Sequence, residues 1–257
     1  MRLRLRQLWV CYWLNFKVMA MSPFEGLLSI VFPLMFATSA LLVYRVENDP
    51  NAMLYAGLGA AVMGVWTAMM VPAATLLSRE RWAGTLELVV AAPTPFSMVL
   101  LPSTLAMATL GLYSVVATMI WDWLVFGIEL HIASWPLFVL SLAMACVTVA
   151  MLGFLFSVTA VRYRTSWALG AALEYPGWLL CGFLVPLGLL PDVLQPLSWS
   201  LAPTWAMAAI RESASGGSPW GDLAVCLALG IAYAALGSYL SRRLVDSARR
   251  NATLALT

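Results

Sequence analysis

At 257 residues, with 62% hydrophobic and only 10% charged side chains, the chain departs from soluble domains and reads as a polytopic membrane protein. A net charge of +2 carries little information by itself, so the signal lies in where the charges fall. The single lysine, Lys17, follows no Gly-rich run, which excludes a P-loop and therefore ATP hydrolysis by this chain.

Residues 1–22 open with Arg2, Arg4 and Arg6, and Leu5, Trp9, Tyr12, Trp13 and Phe16 follow at helical spacing. Asn15 and Lys17 interrupt what would be the apolar region of a signal peptide, so the stretch is expected to be an N-terminal amphipathic interfacial helix. A first span is expected over residues 26–44, mildly broken by Pro33, then a polar turn over 45–51, then a second span over 52–77. Next comes Arg79-Glu80-Arg81, three charges in an almost uncharged sequence. Over residues 79–91 the spacing predicts a short amphipathic helix. Trp82, Leu86, Val89 and Val90 share one face, and Glu80, Gly84 and Glu87 share another. It is too short to cross a bilayer, which takes about 20 residues, and is expected to lie flat on the membrane surface until Pro93 and Pro95 turn the chain.

A third span is expected over residues 96–125 and a fourth over 136–161, joined by a short loop with Glu129, His131 and Ser134. The basic turn Arg162-Tyr163-Arg164 leads to a fifth span over 167–190, and a sixth is expected over 220–240. Between the last two, Pro191, Pro196 and Pro203 prevent one continuous helix, and the apolar content points to a segment at the membrane surface or re-entrant. The domain organisation is thus an interfacial helix (1–22), a six-span, all-α transmembrane domain (23–241) and a basic tail (242–257). With the N-terminus inside, twelve of the fourteen basic residues fall on the cytosolic side; only Arg45 and Arg211 fall outside. Both termini are therefore expected in the cytosol, with the 79–95 segment beside them.

The four cysteines, Cys11, Cys146, Cys181 and Cys226, are scattered through apolar stretches and suggest neither a disulfide framework nor a metal site. With one histidine and dispersed acids, the chain also lacks the clustered groups that a membrane enzyme acting on lipids needs. Glu174 lies seven residues past Trp167, about 10 Å into the fifth span, where an ionisable group is a candidate for the substrate pathway. The alternative is an acid paired with Arg162 or Arg164, or buried protonated. Asp122, between Trp121 and Trp123, reads as a wet acid among interfacial aromatic anchors.

The run Glu80, Arg81, Gly84-Thr85-Leu86-Glu87 and Pro93, placed between a second and a third span, resembles the cytoplasmic coupling segment of ABC-2 type transporter permeases. The early aromatic helix resembles that family's elbow helix. Gly182, Pro186, Leu190-Pro191, Pro203 and Arg211 resemble its re-entrant exterior segment. The resemblance implies a permease without its own ATPase site or cofactor. It would act as a homodimer or heterodimer with two copies of a separate nucleotide-binding subunit, which holds ATP and Mg. Glu80, Arg81, Gly84, Thr85, Leu86 and Glu87 would contact that subunit. The resemblance further implies a multi-pass protein of a bacterial plasma membrane, exporting a hydrophobic or amphipathic, drug- or antibiotic-like substrate. Lipid-linked or polysaccharide cargo, or a non-transporting anchor or sensor for an ATPase, stay open at this point.

Overall fold

The computed structural model describes residues 2–21, 23–45, 50–84, 88, 94–128, 132–160 and 165–251, and among these every regular element is helical. In chain order the α-helices are α1 (Arg2–Ala20), α2 (Pro23–Arg45), α3 (Pro50–Trp82), α4 (Ser97–Phe126), α5 (Trp135–Ala160), α6 (Ser166–Leu180), α7 (Gln195–Trp199), α8 (Ala202–Ser215) and α9 (Trp220–Asn251). Four stretches are long and apolar enough to cross a membrane: Met53–Trp82, Ser97–Phe126, Trp135–Ala160 and Trp220–Ser247. In α2 the described apolar stretch is shorter, Ile30–Leu42.

The core is built around α3, which packs on α2, α4, α5, α6 and α8. Small residues make this possible. Ala56, Ala60, Ala61, Ala73 and Ala74 of α3 are buried, and a Cβ at Gly111 of α4 would lie 2.6 Å from the Val65 backbone of α3. Where lipid is as apolar as the side chains, close backbone approach and dispersion hold helices together, so small residues mark the contacts. Ser and Thr in these helices turn their hydroxyls back onto their own helix: Ser103 donates to the Val99 carbonyl at 2.8 Å, Thr109 to Leu105 at 2.7 Å and Thr148 to Met144 at 2.8 Å. Pro33, Pro72, Pro102 and Pro176 all lie inside helices, as neighbouring helices in a membrane permit.

The N-terminal residues form a helix, α1, of 19 residues, which packs on α4 and α2. Its aromatic stripe is stacked along the axis, with Trp9–Trp13 centroids at 6.3 Å and Tyr12–Phe16 at 6.0 Å, and Phe16 reaches Tyr113 of α4 at 6.3 Å. Trp9 and Trp13 remain exposed on the chain.

Three expectations are corrected. The expected helix over residues 79–91 does not begin as a separate element: residues 79–82 are the last turn of α3, which Gly84, in the left-handed region at φ 68°, ends, and beyond Gly84 only Leu88 of that stretch is described, in a helix. The fifth span over 167–190 is also not one helix. α6 has 15 residues, about 22 Å of helix, and stops at Leu180. Gly182 at φ 69° then turns the chain into a 3-10 turn, Leu187–Leu189. Pro176 and Gly177 lie within α6 and do not end it. Asp122, expected to be wet, is 1% exposed. As expected, no single helix joins residues 190 to 220, yet the prolines there start helices. Pro196 and Pro203 occupy the first turns of α7 and α8, where a missing N–H costs nothing. α8 buries Ala202, Ala206, Met207, Ile210 and Ala214 and packs on α5 and α9, so this stretch contributes to the core.

Candidate functional site

The charged motif begins as the last turn of α3. At 33 residues, α3 is about 50 Å long, well over the roughly 30 Å of a bilayer's hydrocarbon core, so its charged end has length to project beyond the apolar layer. The helix closes with Ala83 N–H on the Arg79 carbonyl at 2.9 Å and Gly84 N–H on the Arg81 carbonyl at 3.1 Å. A glycine just past the last turn adopts the left-handed conformation without a Cβ penalty. Arg79 and Gly84 are exposed, Glu80 and Arg81 are half-buried, and Trp82 is 89% exposed. A Cβ built on Gly84 meets no atom within 4 Å, so this turn faces open space. The face expected to carry Glu80 and Gly84 is therefore interrupted at Gly84, where α3 ends. Thr85, Leu86, Glu87 and Pro93 lie outside the described residues, as do the 129–131 loop with Glu129 and His131, the Arg162-Tyr163-Arg164 turn and residues 252–257.

From that charged end, α3 and α6 run antiparallel along a seam with five registered contacts. Ser78 and Ser166 share a hydroxyl hydrogen bond at 3.1 Å. Gly170 seats its backbone on Ala74 and Val71, where a Cβ would fall 2.9 and 3.2 Å from them. The Thr67 hydroxyl is hydrogen-bonded to the Glu174 carboxylate. Gly177 lies flat on the Trp66 indole, and Gly59 meets the Phe183 carbonyl; a Cβ at either glycine would overlap its partner. The small residues of α6 thus recur on the face that carries Glu174, and they bring this helix against α3.

The opposite end of the seam is clamped. The Arg211 guanidinium of α8 lies 3.2 Å from the centroid of the Tyr55 ring of α3 and donates to the Phe183 carbonyl at 3.0 Å. The Tyr55 hydroxyl donates to the Gly182 carbonyl at 3.3 Å. These contacts satisfy carbonyls left free where α6 stops, and they combine a cation–π stack with hydrogen bonding. Beyond the turn, an apolar cavity of about 330 Å³ opens between α6 and the segment leading to α7, with Pro176, Leu179, Leu180, Val185 and Leu190 among its walls.

The structure thus joins Glu80 and Arg81 to Glu174 through one helix, α3, and its seam with α6. Thr67 and Tyr55 were not distinguishable in the sequence. The only available signal was a polar side chain in an apolar span, and its partner lies more than a hundred residues away in the chain. Arg211 stood out as one of two basic residues outside the cytosolic set, but nothing local to it predicts a stack on Tyr55. Among the described residues no group of three or more His, Cys, Asp or Glu side chains is placed to hold a metal.

The chain was compared with known proteins. A search of the curated proteins finds no match. The family model for the ABC-2 type transporter matches residues 6–214, a span that takes in most of α1, the charged end of α3, the α3–α6 seam and most of α8. The chain therefore belongs to the ABC-2 type transporter family, as a membrane-spanning permease that works with an ATPase subunit.

Proposed function

We propose that this permease serves an ATP-driven exporter that moves a hydrophobic or amphipathic, drug- or antibiotic-like compound out of the cell. Two permease copies, identical or related, form the pathway, and two copies of a separate subunit bind ATP and Mg. Both termini and the charged end of α3 face the cytosol, a reading supported by the twelve-to-two division of basic residues. Glu80, Arg81, Gly84, Thr85, Leu86 and Glu87 contact the ATPase, and Glu174 lies on the substrate pathway.

The observation that carries this reading is the fusion of the charged motif to α3. A docking element on a flexible loop would dissipate a push. One that is the last turn of a 33-residue helix delivers it along the helix to the α6 seam. Drawing two ATPases together on ATP binding would therefore shift α3 against α6.

The test is assembly with the ATPase encoded alongside the chain, in mild detergent. The parent should co-purify with that subunit and stimulate its hydrolysis, with no hydrolysis by the permease alone. Gly84→Trp should obstruct docking by bulk. Glu80→Lys with Glu87→Lys should do so by reversing charge, since charge-assisted hydrogen bonds contribute about 1.5–3 kcal/mol each. Because Gly84 has a left-handed backbone, Gly84→Asn is the control that keeps the turn. Export at parental rate by both the tryptophan and the double-lysine variants would sink the reading.

A further inference from the structure

We propose that the α2–α3–α6 junction around Glu174 is a binding site for a lipophilic organic cation, an inference that rests on the export reading and specifies its substrate class. Three observations converge there. Glu174 is a half-buried carboxylate inside the bundle, and among the described residues its side-chain partner is the neutral Thr67 hydroxyl and no basic group. One position on, Tyr175 is 59% exposed, and its ring lies 5.0 Å from Trp178 and 6.5 Å from Phe36 of α2. Phe36 and Trp178 meet edge to face at 4.5 Å. Finally, the indole N–H groups of Trp66 and Trp178 are buried and have no hydrogen-bond acceptor among the described residues, each side chain being 3% exposed or less.

The first two features restrict the ligand. An anion is repelled by the carboxylate. A neutral hydrocarbon leaves the carboxylate without a counter-charge, a cost that a buried site does not tolerate cheaply. A cation spread over apolar groups answers the carboxylate electrostatically and the Tyr175 ring through its π face. Because Thr67 and Glu174 bridge α3 and α6, occupancy of the site would be felt in the seam that leads to the charged end of α3.

The experiment uses the full permease with its ATPase in lipid nanodiscs and two probes of matched size, tetraphenylphosphonium and tetraphenylborate. Saturable binding of the phosphonium and not of the borate is expected, and this comparison needs no variant. Glu174→Gln should weaken phosphonium binding about tenfold or more, and Glu174→Asp should retain most of it. Equal binding of the two ions, or parental phosphonium affinity in Glu174→Gln, overturns the site. ATPase recruitment and hydrolysis are measured on the same preparation. An intact, active complex that does not discriminate the two ions defeats this inference alone, whereas failure to recruit the ATPase defeats the proposed function beneath it.

Discussion

Asp122 sits between two tryptophans near one end of α4, and the flanking indoles alone suggest an acid at a wet boundary. In the folded chain Trp121 turns away to donate to the Thr38 hydroxyl at 2.9 Å, while Asp122 points inward against Gly57 of α3. Among the described residues neither carboxylate oxygen has a hydrogen-bond partner, and the Thr118 hydroxyl one turn away is buried in the same condition. Such a group costs stability. Asp122→Leu, similar in shape and without polar atoms, should therefore stabilise the protein by about 1–3 kcal/mol, read as a higher thermal midpoint in detergent. A drop of several degrees would mean that the carboxylate has an ionic partner in the assembled protein. The burial was not legible because it depends on which face of α4 meets α3, and the tryptophans on either side report only depth.

At the scale of helices, the α3–α6 seam depends on glycines where backbone meets side chain. Gly177→Val would drive its branches into the Trp66 indole, an overpacking that costs about 1–3 kcal/mol. Thermal unfolding should shift down, whereas Gly188→Ala, which meets open space, should leave the midpoint unchanged. The clamp at the other end makes a separate prediction. Arg211→Ala removes both the stack on Tyr55 and the hydrogen bond to Phe183, so backbone amides of residues 182–190 should exchange hydrogen faster. Arg211→Lys should recover only part of the protection, because an ammonium keeps the charge but not the planar stacking surface. Unchanged exchange in Arg211→Ala would show that the α6 turn is held by its glycine geometry alone. In the sequence, nothing local separates the roles of the glycines at 177 and 182. One is a packing surface and the other a left-handed turn, and the difference lies in what stands opposite each.

The molecule as a whole is an all-helical bundle among its described residues, with four stretches that cross a bilayer by length and composition. The six-span arrangement and its orientation rest on α2, α6 and the distribution of basic residues, and site-directed labelling tests them together. In a variant with Cys11, Cys146, Cys181 and Cys226 replaced, single cysteines near Arg81, Tyr163 and Ala248 should be shielded from an impermeant thiol reagent in intact cells. Cysteines near Asn48 and Gly216 should react. The reverse pattern inverts the orientation, and a mixed pattern removes the six-span arrangement. Much of this frame was legible from sequence: α1, α4 and α5 fall within a residue or two of the expected bounds, and α3, which begins at Pro50, overruns its expected span mainly at the charged end, through Trp82.

Membrane residence, the division of basic charge and the motif that carries the family resemblance follow from the sequence by itself. Each depends on local composition and order along the chain. Long apolar runs must leave water, and arginines are counted without knowing what they touch. Tertiary structure alone decided that the charged motif starts on the end of α3, that α6 stops at Leu180, and that α8 enters the core. It also decided which neighbour Glu174 has. Those outcomes turn on close backbone approach at glycines and on hydrogen bonds between residues far apart in sequence, such as Thr67 with Glu174 and Arg211 with Phe183. Helix periodicity assigns a side chain to a face of its own helix. What that face meets is fixed only when the helices pack.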